Sequence, residues 1–334
     1  STLRILMPLA SALGIDTIIT GHGRLPQRPI SPLKEEMEKK GVTFHTDSKF
    51  PLHLTGQLKS GEYEIQGNIS SQFITGLLFV LPILDGDSKI KLIPPVESKS
   101  YLDITLSVLR QFGIEIEEKR NLYIIKGNQK YVSPEEMKVE GDWSNASFFL
   151  CAGALNEKGV TVTDLDINSP QGDKKILEVL SSMGAQVQVN ENEITVKKNE
   201  LKVVIVDASN IPDAVPIISV VATACNGDTK IINAGRLRIK ESDRIKSVLD
   251  MLLSVGADAE ETPDGIIIRG GKSLVGGVVN GYNDHRIVMS ASILSSLCEK
   301  DVIITDSNAV EKSYPDFFAD FNKMGGNANV LNDR

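Results

Sequence analysis

The residues with the clearest chemical potential lie in one short segment, RLRIKESDR, at positions 236–244. It holds four basic and two acidic residues within nine positions, at the start of a predicted helix. Arginine forks and the N–H groups of a helix N-terminus bind phosphate and carboxylate groups well. A surface helix held by ion pairs three or four residues apart would give a similar pattern. The segment therefore indicates either an anion site or a solvated helix.

Polar loops with lysine or arginine beside serine, glutamine or asparagine precede four other predicted helices, at residues 21–29, 96–103, 168–175 and 308–316. Two helix starts add polar groups, SSQ at 70–72 and DHR at 284–286. Each of these, taken singly, is explained by solvation or by helix capping. On a chain with a net charge of −8, several basic loops at equivalent places favour a shared site. If the loops converge, we expect the protein to bind a small polyanion.

Asp213, in the segment IPDAVP, has two interpretations that the sequence leaves open. It opens an apolar helix, as Ser71, Asp142 and Asp284 open three others, and the four positions are spaced by 71 residues. Serine or aspartate in such a place commonly caps the helix by accepting N–H groups of its first turn. The same side chain could instead belong to a binding site.

The spacing of about 71 residues extends to whole structural units. An amphipathic helix that ends in glycine and leads into a strand occurs five times, at Gly41, Gly113, Gly184, Gly256 and Gly325. Apolar residues at i, i+3 and i+4 predict the helices, and the glycine supplies the positive φ that ends each one. A second helix, apolar on almost every face, recurs in the same period before a short strand. Each unit thus reads helix, strand, polar loop, helix and two strands.

This repeat predicts an α/β fold, because a helix that is apolar all round must be enclosed by sheets and other helices. The chain of 334 residues is short of six complete units by about one. The polar stretch at 133–141, which contains a proline, is the best place for a domain boundary. We therefore predict two domains, residues 1–140 and 141–334.

Composition excludes several classes of protein. The content of 41% hydrophobic and 24% charged residues is typical of a globular protein, and the acidic balance argues against nucleic-acid binding. The apolar stretches are too short to span a bilayer. Cys151, Cys225 and Cys298 lie in apolar runs with no CxxC pair, so we expect buried free thiols and no metal site. We expect a cytoplasmic monomer without a nucleic-acid or membrane partner.

Six motifs resemble, in order and spacing, those of the 5-enolpyruvylshikimate-3-phosphate synthase family of enolpyruvyl transferases. They are SSQFITGLL, SKSYLDITL, NIPDAVP, RLRIKESDR, YNDHRIVMS and EKSYPDFF. The resemblance covers essentially the whole chain. It implies a two-domain enolpyruvyl-transferase-like fold, an inside-out α/β barrel of repeated βαβαββ units with the site in the cleft between domains. It also implies a further N-terminal segment before STLR, so that the first unit is largely absent.

The resemblance implies a reaction as well. The enolpyruvyl group of phosphoenolpyruvate is transferred to the 5-hydroxyl of shikimate 3-phosphate with release of phosphate, a step of the shikimate pathway that needs no metal or organic cofactor. The matching catalytic positions are Asp213, Glu241 and Lys312. Those for shikimate 3-phosphate are Ser70, Ser71, Gln72, Ser98, Tyr101, Asp213 and Lys240, and those for phosphoenolpyruvate are Arg28, Gln72, Arg244, Arg286 and Lys312. The role of Arg236 stays open.

Two alternatives remain at this stage. A UDP-N-acetylglucosamine enolpyruvyl transferase would share the fold, but such enzymes place a reactive cysteine in an exposed loop. The chain could also be an inactive domain fragment of the shikimate enzyme, since the implied N-terminal segment carries further substrate contacts.

Overall fold

The computed structural model describes residues 2–46, 50–191 and 193–331. The chain forms two compact units. The first extends to Val139 and includes Pro170–Gly172, and the second comprises Glu140–Ser169 and the chain from Asp173 onward. That residues 1–140 and 141–334 are two separate domains stays a prediction.

The first unit contains four helices and seven strands among the described residues. In chain order they are α1 Thr2–Ala12, β1 Thr17–Ile19, α2 Leu33–Lys39, β2 Val42–Phe44, β3 Leu52–Gly56, β4 Glu62–Gln66, α3 Ser71–Val80, β5 Ser88–Ile93, α4 Lys99–Gln111, β6 Ile116–Lys119 and β7 Leu122–Ile125. Short 3₁₀ turns cover Leu25–Gln27 and Leu81–Ile83.

The second unit continues the alternation of helix and strand. Its elements are α5 Trp143–Leu155, β8 Val160–Thr163, α6 Ile176–Ser182, β9 Gln186–Asn190, β10 Glu193–Lys197, β11 Ile205–Asp207, α7 Val215–Thr223, β12 Gly227–Ile232, α8 Arg244–Ser254, β13 Asp258–Thr262, β14 Gly265–Gly270, β15 Gly277–Val279, α9 His285–Ser295, β16 Val302–Ile304 and α10 Phe317–Lys323. Its 3₁₀ turns are Gly172–Lys175, Pro212–Ala214, Gly235–Ile239 and Ser307–Lys312.

Two copies of the repeat are complete and have the same topology. One forms a sheet of order β4-β5-β7-β6 and the other a sheet of order β11-β12-β14-β13. In both, the first two strands are parallel and the last two pairings are antiparallel. The βαβαββ unit that the family resemblance implies is therefore confirmed. The remaining sheets, β1-β3-β2, β8-β10-β9 and β15-β16, are parts of the same pattern.

The five helix-ending glycines all adopt positive φ, as predicted, with values between 75° and 98°. Side chains rarely adopt this conformation, whereas glycine does so without steric cost. After α8, for example, the N–H of Ala257 donates to the carbonyl of Leu252, which satisfies one of the last helical acceptors. The glycine thus turns the chain from the helix into the strand that follows.

The helices predicted to be apolar all round are enclosed. Every residue of α7 is buried, and so are the ten residues from His285 to Leu294 in α9. In the second unit α5, α7 and α9 contact one another, and each also contacts strands of a sheet outside them. In the first unit α1 packs on α3 so closely that a Cβ at Gly76 would lie 2.5 Å from the carbonyl oxygen of Arg4. Removing water from these apolar faces is the main contribution to the stability of each unit.

The expectation of three buried thiols within apolar helices is only partly right. Cys151 lies inside α5 and is buried, and Cys225 is buried just beyond the end of α7. Cys298 is partly exposed because it follows the last turn of α9. Among the described residues, no helix is both long and apolar enough to span a membrane.

Candidate active site

Arg244, the first residue of α8, is the centre of a charged cluster in the second unit. Its side chain is 1% exposed. Its Nη1 donates to Asp213 at 2.6 Å and its Nη2 donates to Glu241 at 2.8 Å. Nε and Nη2 also donate to the two oxygens of Asp284, at 2.9 and 3.2 Å. One guanidinium therefore joins three carboxylates, and the interpretation of residues 236–244 as a solvated surface helix is wrong.

This arrangement fixes the charge of its buried members. Burial alone would lower the pKa of Arg244, but the charges of Asp284, Asp213 and Glu241 outweigh it and raise that pKa above its usual value. Burial alone would raise the pKa of Asp284, yet the charge and hydrogen bonds of Arg244 lower it to about 2. The pair therefore stays ionised over the whole physiological pH range.

Asp284 is held on several sides. Besides Arg244, the hydroxyl of Ser242 donates to it at 2.9 Å. Its other oxygen accepts the N–H of Arg286 at 3.0 Å, which makes Asp284 the N-cap of α9. A buried carboxylate with this many donors is a rigid anchor for Arg244.

Asp213 is not a helix cap, although the repeat-related aspartates Asp142 and Asp284 are. Asp142 accepts N–H groups of the first turn of α5, as Asp284 does for α9. Asp213 instead lies in the 3₁₀ turn Pro212–Ala214, and α7 begins without a side-chain cap. Pro216 stands where Asn145 donates to Asp142, and proline has no N–H. The carboxylate of Asp213 therefore accepts from Arg244 and, at 3.3 Å, from Lys240.

Lys240 comes from the loop before α8 and is largely buried, with a side chain that is 20% exposed. Burial is the main reason that its pKa is lowered from the usual value, and the positive charge of Arg244 lowers it further. The carboxylate of Asp213 partly opposes this effect. Lys240 is therefore closer to losing its proton than a surface lysine.

Arg286 links the starts of three buried helices. Its Nη2 donates to the hydroxyl of Ser144 on α5 at 3.0 Å, and its Nη1 donates to the backbone carbonyl of Asp213 at 3.3 Å. The same Nη2 lies 3.7 Å from Asp213 Oδ2. Residues one or two repeats apart, separated by 73 and 142 positions, thus come together in space, because the repeats place their helix N-termini at one end of the unit.

Lys312 ends the 3₁₀ turn before α10 and lies at the same end of the unit. Its Nζ donates to the side-chain oxygen of Asn283 at 2.7 Å and also to the Asn283 carbonyl. Asn283 directly precedes the cap Asp284. The structure therefore brings together five of the residues that the resemblance assigns to the site in this unit, Asp213, Lys240, Glu241, Arg244 and Arg286. Lys312 contacts Asn283, next to the cap Asp284.

The first unit holds the other predicted residues, and a buried arginine lies among them too. Arg4 of α1 is 5% exposed. It donates to Gln72 Oε1 at 2.9 Å, to Ser70 Oγ at 3.3 Å and to the Pro29 carbonyl at 2.8 Å. Its guanidinium also stacks over the ring of Phe73. Arg4 thus ties the start of α3 to the loop that carries Arg28.

The remaining predicted residues of this unit lie at helix starts. Ser70, not Ser71, caps α3, because Ser70 is extended and its Oγ accepts the N–H of Gln72, whereas Ser71 is already helical. Ser98 is buried at the start of α4 with a left-handed backbone, and Tyr101 lies in the first turn. The helices α3 and α4 are in contact, and Thr75 and Thr105 are hydrogen-bonded between them.

Comparison with known proteins now decides the family. The family model for EPSP synthase (3-phosphoshikimate 1-carboxyvinyltransferase) matches residues 1–321. The chain belongs to the EPSP synthase family. The 3-phosphoshikimate 1-carboxyvinyltransferase of Clostridium novyi is 47% identical over 98% of this chain and 75% of that protein. The protein of the same name from Clostridium kluyveri is 44% identical over 98% of this chain and 76% of its own length.

Solved structures agree with the family. An EPSP synthase from Acinetobacter baumannii superposes with a TM-score of 0.82 at 27% identity, covering 99% of this chain and 78% of that one. The two-domain enolpyruvyl-transferase fold that the motifs predict is thus confirmed, and so is the resemblance from which it was inferred.

Several residues that lie beside the predicted site residues of one unit or the other were not predicted from the sequence. Arg4 is the one charged residue in the apolar helix α1, and that isolation was a usable signal. Asp173, in the loop 168–175, is buried, and burial together with the charge of Asp213 raises its pKa to about 7. Ser144 and Asn283 are neutral and gave no signal.

No group of three or more His, Cys, Asp and Glu side chains within residues 2–46, 50–191 and 193–331 is arranged to hold a metal ion. That no cofactor is needed stays a prediction.

Proposed function

We propose that this chain carries out the reaction for which its family is named, the transfer of the enolpyruvyl group of phosphoenolpyruvate to the 5-hydroxyl of shikimate 3-phosphate. The observation that carries the proposal is the pair of carboxylates, Asp213 and Glu241, held on opposite arms of Arg244. A reaction that removes a proton from a hydroxyl and adds one to a carbon needs two such groups.

Asp213 is the proposed base for the hydroxyl. Its side chain is 15% exposed, so it can reach a ligand while most of its surroundings are protein. When the 5-oxygen bonds to C2 of phosphoenolpyruvate, the hydroxyl proton passes to this carboxylate. Lys240 and Arg244 keep the carboxylate anionic and ready to accept.

Glu241 is the proposed acid and base at C3. In the addition step it gives a proton to the methylene carbon, which becomes a methyl group. In the elimination step the same carboxylate removes a proton from that methyl group as the C2–O bond to phosphate breaks. The proton that Asp213 took from the hydroxyl leaves with the departing phosphate, so the net reaction restores the carbon–carbon double bond, regenerates both carboxylates and releases inorganic phosphate. Lys312 is proposed to assist proton transfer at the enolpyruvyl group.

The charged substrates require cations and donors around these carboxylates. A guanidinium has five N–H groups, and Arg244 already uses four of them on protein carboxylates. We therefore propose that Arg244 positions the catalytic carboxylates and also contacts phosphoenolpyruvate. Arg286 and Arg28 then contribute more than Arg244 to binding of that substrate. Proposed contacts to phosphoenolpyruvate also include Gln72 and Lys312, and those to shikimate 3-phosphate are Ser70, Ser71, Gln72, Ser98, Tyr101, Asp213 and Lys240.

Composition and cysteine exposure support further proposals. The acidic composition supports a protein without nucleic-acid partners, and free cysteines support a reducing compartment such as the cytoplasm. We propose a monomer. The rival UDP-N-acetylglucosamine acceptor gains no support, because Cys151 and Cys225 are buried.

The test is phosphate release by the full-length protein from phosphoenolpyruvate, with shikimate 3-phosphate or UDP-N-acetylglucosamine as acceptor. We expect release only with shikimate 3-phosphate, without added metal. Release with the UDP sugar alone would reassign the substrate. No release by the full-length protein with either acceptor would overturn the proposed function. It would also overturn the alternative that this chain is an inactive fragment of such an enzyme.

A further inference from the structure

The first turn of α5 touches two separate parts of the proposed phosphoenolpyruvate site. Ser144 contacts Arg286 of α9, and the next residue, Asn145, contacts the backbone next to Lys312. Neither residue belongs to the reactive groups already assigned. Two consecutive neutral side chains on one rigid turn therefore connect to two charged groups from distant parts of the sequence.

The direction of the Ser144 hydrogen bonds is determined by its partners. Ser144 Oγ lies 2.7 Å from Asp142 Oδ1 and 3.0 Å from Arg286 Nη2. A guanidinium can only donate, so the serine oxygen accepts from Arg286 and its own proton goes to Asp142. The carboxylate thus turns the lone pairs of the serine toward Arg286, which fixes the plane of the guanidinium.

The amide of Asn145 is fixed by the same reasoning. Its Nδ2 lies 2.8 Å from Asp142 Oδ2 and 3.0 Å from the Ser313 carbonyl. Both neighbours are acceptors, so the NH₂ group of the amide must face them. The Asn145 Oδ1 in turn lies 3.5 Å from the Ser313 hydroxyl. Asn145 therefore holds the residue that directly follows Lys312.

The turn itself is firmly placed. Asp142 caps α5 through the N–H groups of Ser144 and Asn145. Trp143 is fully buried, and its Nε1 donates to the Asp166 carbonyl at 3.0 Å. Because the cap, the buried indole and the helix share one backbone, movement of this turn would disturb the core.

The loop of Lys312 is consequently held at two points. Asn283, just before α9, accepts a hydrogen bond from the ammonium group of Lys312. Asn145 on α5 donates to the carbonyl of Ser313, the residue after Lys312. The long lysine side chain is exposed and would otherwise adopt many rotamers. Two anchors restrict it to the side of α9 that also carries Arg286.

We propose that Ser144 and Asn145 are positioning residues for the phosphoenolpyruvate half of the reaction. Ser144 sets the guanidinium of Arg286, and Asn145 sets the loop that presents Lys312. This proposal rests on the proposed function, because it assigns Arg286 and Lys312 to that substrate. It adds that the two residues have different kinetic roles: Ser144 affects binding of phosphoenolpyruvate, and Asn145 affects the rate of turnover.

The experiment compares steady-state kinetics of Ser144→Ala, Ser144→Thr and Asn145→Ala in the full-length protein. A lost hydrogen bond to a charged group changes an equilibrium about tenfold. We expect Ser144→Ala to raise KM for phosphoenolpyruvate by about that factor, with kcat and the KM for shikimate 3-phosphate within about twofold. Ser144→Thr retains a hydroxyl and should restore most of the loss. Asn145→Ala should lower kcat about tenfold instead.

Asn322→Ala is the matched control. The Asn322 amide clamps a backbone segment in the same way, through hydrogen bonds to both the N–H and the carbonyl of Ala328. We expect it to leave both kinetic constants unchanged.

Three outcomes would overturn the positioning role: equal rises in the KM values for both substrates, equal rises in the phosphoenolpyruvate KM of Ser144→Ala and Ser144→Thr, or wild-type kinetics in all variants. In each case an active wild-type protein would still support the proposed function. An inactive wild-type protein would overturn both.

Discussion

Two buried arginines, one in each unit, have different partners. Arg4 donates to neutral oxygens, namely a hydroxyl, an amide and a backbone carbonyl. Arg244 donates to three carboxylates. Both side chains are almost inaccessible to water, so both need several acceptors to offset the loss of hydration. The contrast lies in what each arginine does to those acceptors.

Neutral acceptors keep one charge state at every ordinary pH, so Arg4 orients this hydroxyl, amide and carbonyl without changing their protonation. Carboxylate acceptors respond to the guanidinium, and Arg244 keeps the pKa of Asp284 at about 2. In the first unit these contacts of Arg4 therefore orient groups that are proposed to bind substrate. The second is organised for control of proton transfer, which fits the proposed division between binding and acid–base chemistry.

Replacement of Arg244 by Met should have the largest effect. It would leave Asp213, Glu241 and Asp284 close together without their shared cation, and removal of one member of a buried ion pair costs about 3–5 kcal/mol. We expect a loss of that size in the free energy of unfolding, measured with urea, together with loss of detectable turnover.

Arg238→Met is the control for that substitution. Arg238 belongs to the same segment and pairs with Glu261 at 2.9 Å, but it is 30% exposed. Its loss should cost less than about 1 kcal/mol. Equal destabilisation by the two variants would mean that burial of Arg244 has no special importance.

Replacement of Arg4 by Met should have a smaller effect of another kind. Loss of hydrogen bonds that a charged group makes to neutral acceptors typically costs about 1–3 kcal/mol. Because Gln72 and the loop of Arg28 lose their orientation, KM for both substrates should rise about tenfold, with kcat within about threefold. A selective fall in kcat would assign Arg4 to the chemical step and remove the contrast.

The response of stability to acid should arise from the second unit. Burial lowers the pKa of His285 to about 4, and Arg286 contributes. Between pH 6.5 and 4 the unfolded chain takes up this proton and the folded chain does not, so stability falls as pH falls through that window. The full effect is on the order of 3 kcal/mol.

His285→Asn should therefore flatten the pH dependence of the unfolding free energy between pH 6.5 and 4. His22→Asn, at an exposed loop position, is the control and should retain the wild-type slope. An unchanged slope in His285→Asn would show that the imidazole takes up its proton equally well in the folded protein.

Much of the fold follows from local rules that the sequence displays directly. The five glycines and the 3.6-residue apolar pattern predict helix ends and buried faces, because positive φ and the exclusion of apolar groups from water act at each position separately. The repeat also placed Asp142, Asp213 and Asp284 in equivalent positions. It could not say that Pro216 removes a donor and leaves Asp213 for another role.

Other parts of the site depend on contacts between distant segments. Arg4 and Gln72 are 68 residues apart, and Asn145 and Ser313 are 168 apart. No local pattern reports such pairs, and neutral residues such as Ser144 carry no unusual feature. The exposure of Cys298 and the cap at Ser70 were missed for a simpler reason, since helix ends are known from sequence only to within one or two residues.

The account depends on Asp213 as an acid–base group, not as a helix cap. The most direct measurement is phosphate release in a single turnover by Asp213→Asn, together with its dissociation constant for shikimate 3-phosphate. The account predicts a rate at least about 100-fold below wild type, with the dissociation constant raised less than about tenfold. A single-turnover rate within threefold of wild type would contradict it.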